Sequence, residues 1–353
     1  MRKLRGFCIL SILWRPIVVM LAVAVVPACA SSSGSGLGAT PSQAPPGALG
    51  RGVSLRYAAT ACPSSVVYVV SNYDAAVKIY DPASLHAHAR PCGSVTGFES
   101  PQGLFVDAQR SLWVVDAGAK KIYRFLPGAV KPIETLSDPN GTPLAVAVEP
   151  RSGTVYVTDY ANSVDAHTLV EVYANGSTTP TGSLDDPNAR NGGSDAVDNA
   201  GNLYVTFMTL DNKAQVDRWS HGSGSAENLG LKLISGGGIV TTATGALAVC
   251  DPFGFRCGIF EHHSTRMSHV FGHMGLPMGK FQSDKPPWLN PEALALDPDQ
   301  RQAYVVANTL SVWTFPGPKN RPNHRPIDEI KVRNGGANEG IAVSPASPPG
   351  LPW

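Results

Sequence analysis

Residues that could bind a metal ion recur at one position in the pattern of this chain, just before or at the start of short apolar segments. They are mostly asparagines, with one aspartate and two glutamates, and the candidates are Asn140, Asn191, Asp195, Asn290, Glu292, Asn338 and Glu339. Carboxylate and amide oxygens are the ligands that Ca²⁺ prefers, and the ion takes six to eight of them. If the fold brings these segments together, the pattern predicts a Ca²⁺ site whose carboxylates are Asp195, Glu292 and Glu339.

The same residues also have a purely structural interpretation. Asn and Asp side chains form hydrogen-bonded turns with their own backbone, and such turns are common ahead of a strand. Ser100, Gln102 and Thr142 stand at matching positions and carry no charge. The sequence therefore leaves open a ring of turn residues and a Ca²⁺ site, and it predicts no other cofactor.

A second group of possible ligands lies close together in the chain and comprises Glu261, His262, His263, His269 and His273. Histidine is a common ligand of transition metals. The spacing matches no helical zinc motif, so an exposed loop is the preferred interpretation. The sequence also contains no nucleophile elbow, phosphate-binding loop or haem attachment motif. Any catalytic site would have to be assembled from dispersed loops.

The element that must position these residues is a repeated unit of short strands. An apolar strand recurs at intervals of roughly 45 residues, at 67–70, 112–115, 155–158, 203–206, 247–250 and 303–306. In most copies a smaller apolar strand and a turn rich in Gly, Asn, Asp and Pro precede it, and a strand of alternating apolar and polar residues follows it. A period of this length made of strands is typical of a β-propeller with one repeat per blade. In such a fold the seven candidate residues are predicted to lie near one mouth of the central channel.

The two ends of the repeat region complement each other. The first copy lacks its leading strand, and residues 339–344 look like a leading strand with nothing after it. Pairing these two segments would complete one blade and remove an exposed sheet edge. The predicted fold class is therefore all-β, a six-bladed β-propeller over residues 59–346, closed by pairing of N- and C-terminal strands in one blade. Residues 347–353 are predicted to be a C-terminal tail.

The repeats resemble those of NHL-type six-bladed propellers, and more loosely those of gluconolactonase/regucalcin and virginiamycin B lyase propellers. The segments that carry the resemblance are 101–107, 112–116 and 198–206. The resemblance covers about residues 60–345 and implies the fold. Gluconolactonase-like propellers hold a metal in this region with a Glu, an Asn and an Asp, but no repeat here reproduces that motif. The fifth copy departs most, since Ala248 replaces the usual aromatic residue.

Residues 1–30 are predicted to be an export signal. Arg2, Lys3 and Arg5 form a charged start, and the apolar segment 17–26 is shorter than the about 20 residues that span a bilayer. Residues 26–29 resemble a bacterial lipobox, which implies acylation of Cys29. Ordinary cleavage and an uncleaved anchor are the alternatives. Residues 31–58 are rich in Ser, Gly and Pro and are predicted to be a flexible tether.

Four cysteines follow the predicted leader: Cys62, Cys92, Cys250 and Cys257. An even number in an exported chain suggests disulfides, with three possible connectivities. Cys250 and Cys257 flank a hairpin turn, and Cys62 and Cys92 bracket the first repeat, so these two pairs are predicted. Four buried thiols are the alternative.

The charge balance restricts the partners that this chain could bind. Lys and Arg number 28, Asp and Glu number 27, and no basic stripe is present, so nucleic acid is not a predicted partner. The sequence favours a non-enzymatic role: a monomeric, exported, lipid-anchored protein of the bacterial cell envelope that binds a protein or small molecule on one propeller face. The alternative is a metal-dependent hydrolase or lactonase, or a lyase, of the gluconolactonase or virginiamycin B lyase type.

Overall fold

Each repeat folds into one antiparallel sheet, or blade, and the six blades surround a central channel. The structure is a computed structural model that describes residues 62–85, 89–129, 131–160, 169–271, 292–306, 309–316, 326–327 and 340–353, with the backbone of 56–58 and 328–330. These residues form strands, turns and the short 3₁₀ segments Pro82–Ser84, Ser220–Gly222 and Pro252–Gly254, and they contain no α-helix. The predicted all-β, six-bladed propeller is confirmed.

The strands follow in chain order from blade to blade. Blade one contains β1 (Arg56–Ala58), β2 (Val66–Ser71), β3 (Ala76–Tyr80) and β4 (Gly93–Thr96). Blade two contains β5 (Pro101–Val106), β6 (Leu112–Asp116), β7 (Lys121–Phe125) and β8 (Glu134–Ser137). Blade three contains β9 (Pro143–Val148), β10 (Val155–Asp159), β11 (Val170–Tyr173) and β12 (Gly182–Leu184). Blade four contains β13 (Ala189–Val197), β14 (Leu203–Thr209), β15 (Ala214–Trp219) and β16 (Glu227–Asn228). Blade five contains β17 (Ile239–Thr241), β18 (Leu247–Asp251), β19 (Arg256–Phe260) and β20 (His269–Phe271). Blade six contains β21 (Ala293–Leu296), β22 (Gln302–Val306), β23 (Leu310–Thr314) and β24 (Asp328–Ile330), and β25 (Ile341–Ser344) returns to blade one.

The innermost strand of each blade lines the channel and is called the inner strand. The strand paired with it is buried along its whole length in five blades, as β2, β6, β10, β14 and β18. A neighbouring blade covers each face of such a strand. This burial on both faces explains why these segments read as continuous apolar runs instead of alternating ones. Six apolar clusters fill the spaces between adjacent blades of the described chain.

Blade one is completed by the last strand of the propeller. β25 pairs antiparallel with β2, with Val67 opposite Val343 and Val69 opposite Ile341, and the N–H of Val70 donates to the Gly340 carbonyl at 2.9 Å. The predicted closure is therefore confirmed over residues 341–344, and Glu339 lies outside the described residues. β1 lies within the last residues of the predicted tether and pairs with β4 as a fifth strand of this sheet.

The inner strands β5, β9, β13, β17, β21 and β25 each contact the next one around the channel, and β25 contacts β5. Glycine makes this approach possible where two inner strands come closest. A Cβ atom on Gly103 would overlap the Leu144 carbonyl, and one on Gly340 would overlap the Gln102 carbonyl. Any larger residue at these two positions would push the inner strands apart.

Both predicted disulfides are present. Cys62 is bonded to Cys92, and Cys250 is bonded to Cys257. Cys250 and Cys257 are direct cross-strand partners in the hairpin of β18 and β19, with Cα atoms 3.9 Å apart. Disulfides are typical of proteins that fold in oxidising compartments. No helix in the part of the chain described here is long and apolar enough to cross a membrane.

Residues 345–353, named the C-terminal strap, lie along three blades at one end of the channel. Ser347 accepts a hydrogen bond from Gln300 of blade six at 2.8 Å, and the N–H of Gly350 donates to Thr241 of blade five at 3.0 Å. The N–H of Trp353 donates to the Tyr204 hydroxyl of blade four at 3.1 Å, and the Trp353 side chain is buried between blades four and five. The strap thus belongs to the packed structure.

We expect deletion of residues 340–353 to prevent cooperative folding, because β2 would lose its ladder partner and bury unpaired backbone groups that cost about 1–3 kcal/mol each. Trp353→Ala is the matched control, since it loosens the strap and keeps β25. That variant should still melt cooperatively, with about 3 kcal/mol less stability. Thermal unfolding followed by circular dichroism checks both. A deletion variant that melts like the full chain would show that β25 does not hold the ring closed.

Candidate functional site

The inner strands enclose a cavity of about 1040 Å³. Much of its wall is formed by glycines and by apolar side chains such as Ala145, Ile239 and Ala293. We call the end where the inner strands begin the starting end, and the opposite end, where the first turn of each blade lies, the turn end. Residues 345–349 of the C-terminal strap contribute to the lining at the turn end.

Four of the polar residues predicted from the sequence line this cavity, namely Gln102, Asn191, Asp195 and Glu292. Asp195 is buried and accepts a hydrogen bond from the Thr158 hydroxyl at 2.9 Å. Oε1 of Gln102 and Oε2 of Glu292 are buried and accept no hydrogen bond. The cavity wall therefore contains polar groups whose hydrogen-bonding capacity is only partly used.

Burial raises the pKa of both carboxyl groups in the cavity wall. The pKa of Asp195 rises to about 7, because burial outweighs the hydrogen bond from Thr158, which lowers it. Burial raises the pKa of Glu292 to about 7 as well. Both groups gain or lose a proton near neutral pH, which is a common property of residues in binding and catalytic sites.

The other predicted residues do not extend this set. Asn140 is exposed and lies outside the cavity lining, where its amide donates to Oε1 of Glu171 at 2.7 Å. Asn290, Asn338 and Glu339 lie outside the described residues. The Ca²⁺ site predicted from Asp195, Glu292 and Glu339 therefore stays a prediction.

A set of three buried carboxylates lies at the contact between blades two and three. Asp138 follows β8, Asp159 ends β10 and Glu171 lies in β11. Ligand oxygens of the three side chains all lie within 4.8 Å of one another. We call these residues the acidic cluster. No other group of three His, Cys, Asp or Glu side chains comes this close in the described ranges.

Hydrogen bonds satisfy only part of the acidic cluster. Oδ1 of Asp138 accepts from the backbone N–H groups of Asn140 at 3.2 Å and Gly141 at 3.0 Å. Both carboxylate oxygens of Asp159 and Oδ2 of Asp138 are buried without a hydrogen-bond partner. Because buried charges are normally paired or bound to a metal, these three oxygens call for an explanation.

The carboxylates of the cluster raise one another's pKa. Burial is the largest cause of the rise of the Asp159 pKa to about 10. A shared proton with the Asp138 carboxyl and the charges of Asp138 and Glu171 add to it, and the charge of Lys120 lowers it. Burial also raises the pKa of Glu171, although the hydrogen bond from Asn140 lowers it. Without a cation, the cluster must hold a proton at neutral pH.

The acidic cluster was not predicted, yet the sequence contains a signal for it. The tripeptide Asp-Pro-Asn occurs at 138–140 and again at 186–188, each time just ahead of an inner strand. An acidic residue follows in the third strand of each blade, Glu171 in β11 and Asp217 in β15. Comparing the third strands of the repeats, and not only their starts, would have linked these residues.

The histidine group forms no metal site among its described members. His269 Nδ1 lies 3.7 Å from a carboxylate oxygen of Glu261, and the rings of His262 and His263 lie beside the Trp353 ring. His262 and His263 lie in an exposed turn that packs near the C-terminal strap, whereas His269 is a buried residue of β20. His273 lies outside the described residues.

Comparison with known proteins supports the fold. No family model and no curated protein matches this chain in sequence. A functionally unknown protein from Desulfotomaculum acetoxidans DSM 771 is similar in structure, with a TM-score of 0.50 and 14% identity over 80% of this chain and 99% of that one. Kuenenia stuttgartiensis hydrazine synthase is similar too, with a TM-score of 0.50 and 16% identity over 70% of this chain and 73% of that one. At these identities the likeness shows the fold alone, and the resemblance to NHL-type propellers stays a prediction.

The raised pKa of Asp195 predicts how stability depends on pH. Between the unfolded pKa near 4 and the folded pKa of about 7, the folded protein holds a proton that the unfolded chain releases. This group's contribution therefore falls as the pH rises through that window, by at most about 1.36 kcal/mol per pH unit. Asp195→Asn should remove this contribution, so that the free energy of unfolding falls less steeply with pH than in the native chain. Asp299→Asn, at an exposed turn, should keep the native pH dependence. Urea unfolding at pH 5, 6, 7 and 8 measures the difference, and equal slopes in all three proteins would contradict it.

Proposed function

We propose that the protein is an exported binding protein that holds a small molecule in its central cavity. The observation that carries this proposal is the cavity of about 1040 Å³ enclosed by the inner strands. Ligand pockets typically have volumes of about 300–1000 Å³, largely apolar walls and a few polar groups at fixed places. The cavity has this size, and its lining combines apolar side chains with charged ones, including Arg110 and Arg151 in the first turns of two blades.

The polar groups suggest the chemical class of the ligand. Asp195 and Glu292 are carboxyl groups that ionise near neutral pH, and Gln102 has a carbonyl oxygen without a donor. All three accept hydrogen bonds, so they suit a ligand that offers N–H or O–H groups. An amine with an apolar body fits best, because a cation would pair with the ionised carboxyls while the apolar wall covers the rest.

The ends of the cavity differ in a way that favours one route for a ligand. The C-terminal strap contributes to the lining at the turn end and is fixed to blades four, five and six. Glu292 directly precedes β21 at the starting end, and Asp195 lies within β13. We therefore propose that the ligand enters at the starting end.

The alternative, a metal-dependent hydrolase, lactonase or lyase, needs three or more convergent ligands in the cavity. Of the predicted ligand carboxylates, the described cavity lining contains two, Asp195 and Glu292, and Glu339 lies outside the described residues. Binding needs no further group, which is why the binding role is the proposal made here.

Ligand binding can be tested with thermal-shift measurements and native mass spectrometry on the purified protein, using alkyl diamines, sugars and lactones as probes. An amine should bind, and Asp195→Asn and Glu292→Gln should each weaken it about 10-fold or more, because each removes a charge-assisted hydrogen bond. Asp299→Asn should bind like the native chain. Equal affinities in all variants, or no binding by any probe, would contradict the proposal. Metal-dependent hydrolysis of a lactone probe would support the enzyme alternative instead.

Export and anchoring are proposed from the sequence and the disulfides together. Two disulfides suit an oxidising compartment, and the lipobox-like residues 26–29 would provide a lipid anchor at Cys29. Cys29→Ser should therefore move the protein from the membrane fraction to the soluble envelope fraction and change its processed mass. A variant that stays membrane-bound with an unchanged mass would rule out lipidation at Cys29.

A further inference from the structure

We propose that Asp138, Asp159 and Glu171 bind one Ca²⁺ ion at the contact between blades two and three. This site is separate from the central cavity and does not depend on the ligand proposed for it. None of the three residues belongs to the cavity lining.

The first support is geometric. Ca²⁺ binds oxygens at about 2.3–2.6 Å, so two oxygens on the same ion lie no more than roughly 5 Å apart. Ligand oxygens of the acidic cluster all lie within 4.8 Å of one another. Asp138, Asp159 and Glu171 are exposed by only 1%, 1% and 2%. One ion could therefore contact all three carboxylates at a place that solvent barely reaches.

The second support is the set of oxygens that have no donor. Both oxygens of Asp159 and one of Asp138 are buried and accept no hydrogen bond. None of the ion pairs formed by the described residues involves the cluster. Lys120, the cation that acts on Asp159, is exposed. Among the described residues, no ion pair therefore balances the charge that the cluster would carry with all three carboxylates ionised.

Blade four provides an internal comparison, because it repeats the same arrangement with a donor added. Glu171 lies opposite Val157, and Asp217 lies opposite the equivalent Val205. In blade four, the Gln215 amide donates to Asp217 at 2.7 Å and to Asp186 at 3.4 Å.

The residues that differ between the two blades explain the contrast. Leu169 stands in blade three where blade four has Gln215, so blade three has no amide at this position, and the only amide that reaches Glu171 among the described residues is that of Asn140. Phe207 stands in blade four where blade three has Asp159. At these two positions blade four has an amide, Gln215, and an apolar side chain, Phe207. Blade three has an apolar side chain, Leu169, and a third carboxylate, Asp159.

The equivalents of Asp159 in two other blades have ordinary structural partners. Asp116 in blade two accepts from the N–H groups of Glu99 at 3.0 Å and Ser100 at 2.8 Å. Asp251 in blade five accepts from the N–H of Ser235 at 2.9 Å. In blade three, Asp138 caps the corresponding loop itself, and Asp159 is left without an N–H group to bind.

The local backbone leaves room for the cluster. A Cβ atom on Gly141 would overlap the Asp159 carboxylate, so the loop can pass over this side chain only because residue 141 is glycine. Asn140 holds one oxygen of Glu171, which orients the other oxygen of that carboxylate. Asn140 is thus a positioning residue.

The ligand types select the ion. The cluster offers only carboxylate oxygens, with no Cys or His that would favour zinc or copper. Mg²⁺ demands near-ideal octahedral geometry and keeps several of its waters, which suits a buried cluster of three carboxylates poorly. Ca²⁺ accepts bidentate carboxylates and irregular geometry.

The test uses the purified, chelator-treated full chain and three probes, Ca²⁺, Mg²⁺ and Tb³⁺. Calorimetry should show one Ca²⁺ per chain, and Ca²⁺ in about 100-fold excess over its dissociation constant should raise the melting temperature by about 5 °C. Tb³⁺ should bind in place of Ca²⁺ and luminesce on tyrosine excitation, because Tyr173 lies within electrostatic reach of all three carboxylates. Mg²⁺ at the same concentration should have little effect.

Asp159→Asn should weaken Ca²⁺ binding by about 100-fold or more and abolish the Tb³⁺ signal. Asp217→Asn, at the blade-four carboxylate, is the matched control and should bind Ca²⁺ like the native chain. Without Ca²⁺, Asp159→Asn should melt at or above the native temperature, since it removes repulsion between buried carboxylates. If Asp159→Asn does not fold, Glu171→Gln is tested in its place and should show the same loss of Ca²⁺ binding.

The proposal is overturned if the native chain binds no Ca²⁺, because the cluster is then only a set of carboxyl groups that share protons. It is also overturned if Asp159→Asn and Asp217→Asn bind Ca²⁺ equally well, or if Mg²⁺ stabilises the protein and Ca²⁺ does not. Loss of amine binding in the cavity leaves these readouts unchanged, so failure of the proposed function can be distinguished from failure of this site.

Discussion

Closure of the ring by β2 and β25 is the interaction on which the rest of the structure depends. An inner strand is positioned by contacts with both of its neighbours, and these contacts run in a complete circle only because β25 reaches both β5 and β21. The apolar cluster between blades six and one joins Val67 and Tyr304, which lie at opposite ends of the propeller sequence. The entropy of closing so long a loop grows only slowly with its length, so one ladder and one apolar cluster can hold the ends together.

Because the blades repeat, residues at equivalent positions can be compared directly, and some of them have different roles. In blades two and five, an aspartate at the end of the second strand caps the N–H groups of the loop that leads into the inner strand. In blade three, Asp138 performs this capping from within the loop. Asp159 keeps its place in the repeat but no longer has these donors, and it faces other carboxylates instead. A structural residue becomes available for binding when a neighbour takes over its hydrogen bonds.

The fold could be predicted from the sequence because it is specified by short segments that recur in every blade. Each apolar strand and turn repeats, and the ends complement each other, so blade number, closure and both disulfides followed from spacing. The sites were harder to predict, because side chains from different repeats meet only through the packing of blades. The position of Asn140 before a strand predicts a place at the channel mouth, but in the structure its amide contacts Glu171 in β11. The packing between blades two and three sets that contact, and residue spacing does not record it.

The acidic cluster and the cavity share one strand, and this connects the two proposals physically. Asp159 ends β10, and its neighbour Thr158 holds Asp195 in the cavity wall at 2.9 Å. On the other side, Tyr160 pairs with Asn191, which also lines the cavity. A cation that fixes Asp159 therefore fixes the end of the strand that positions two polar groups of the cavity. Any effect of the cation on ligand affinity must be matched by an equal effect of the ligand on cation affinity, because coupling between two binding sites is reciprocal. The short path through β10 makes this strand end the place where such coupling would act.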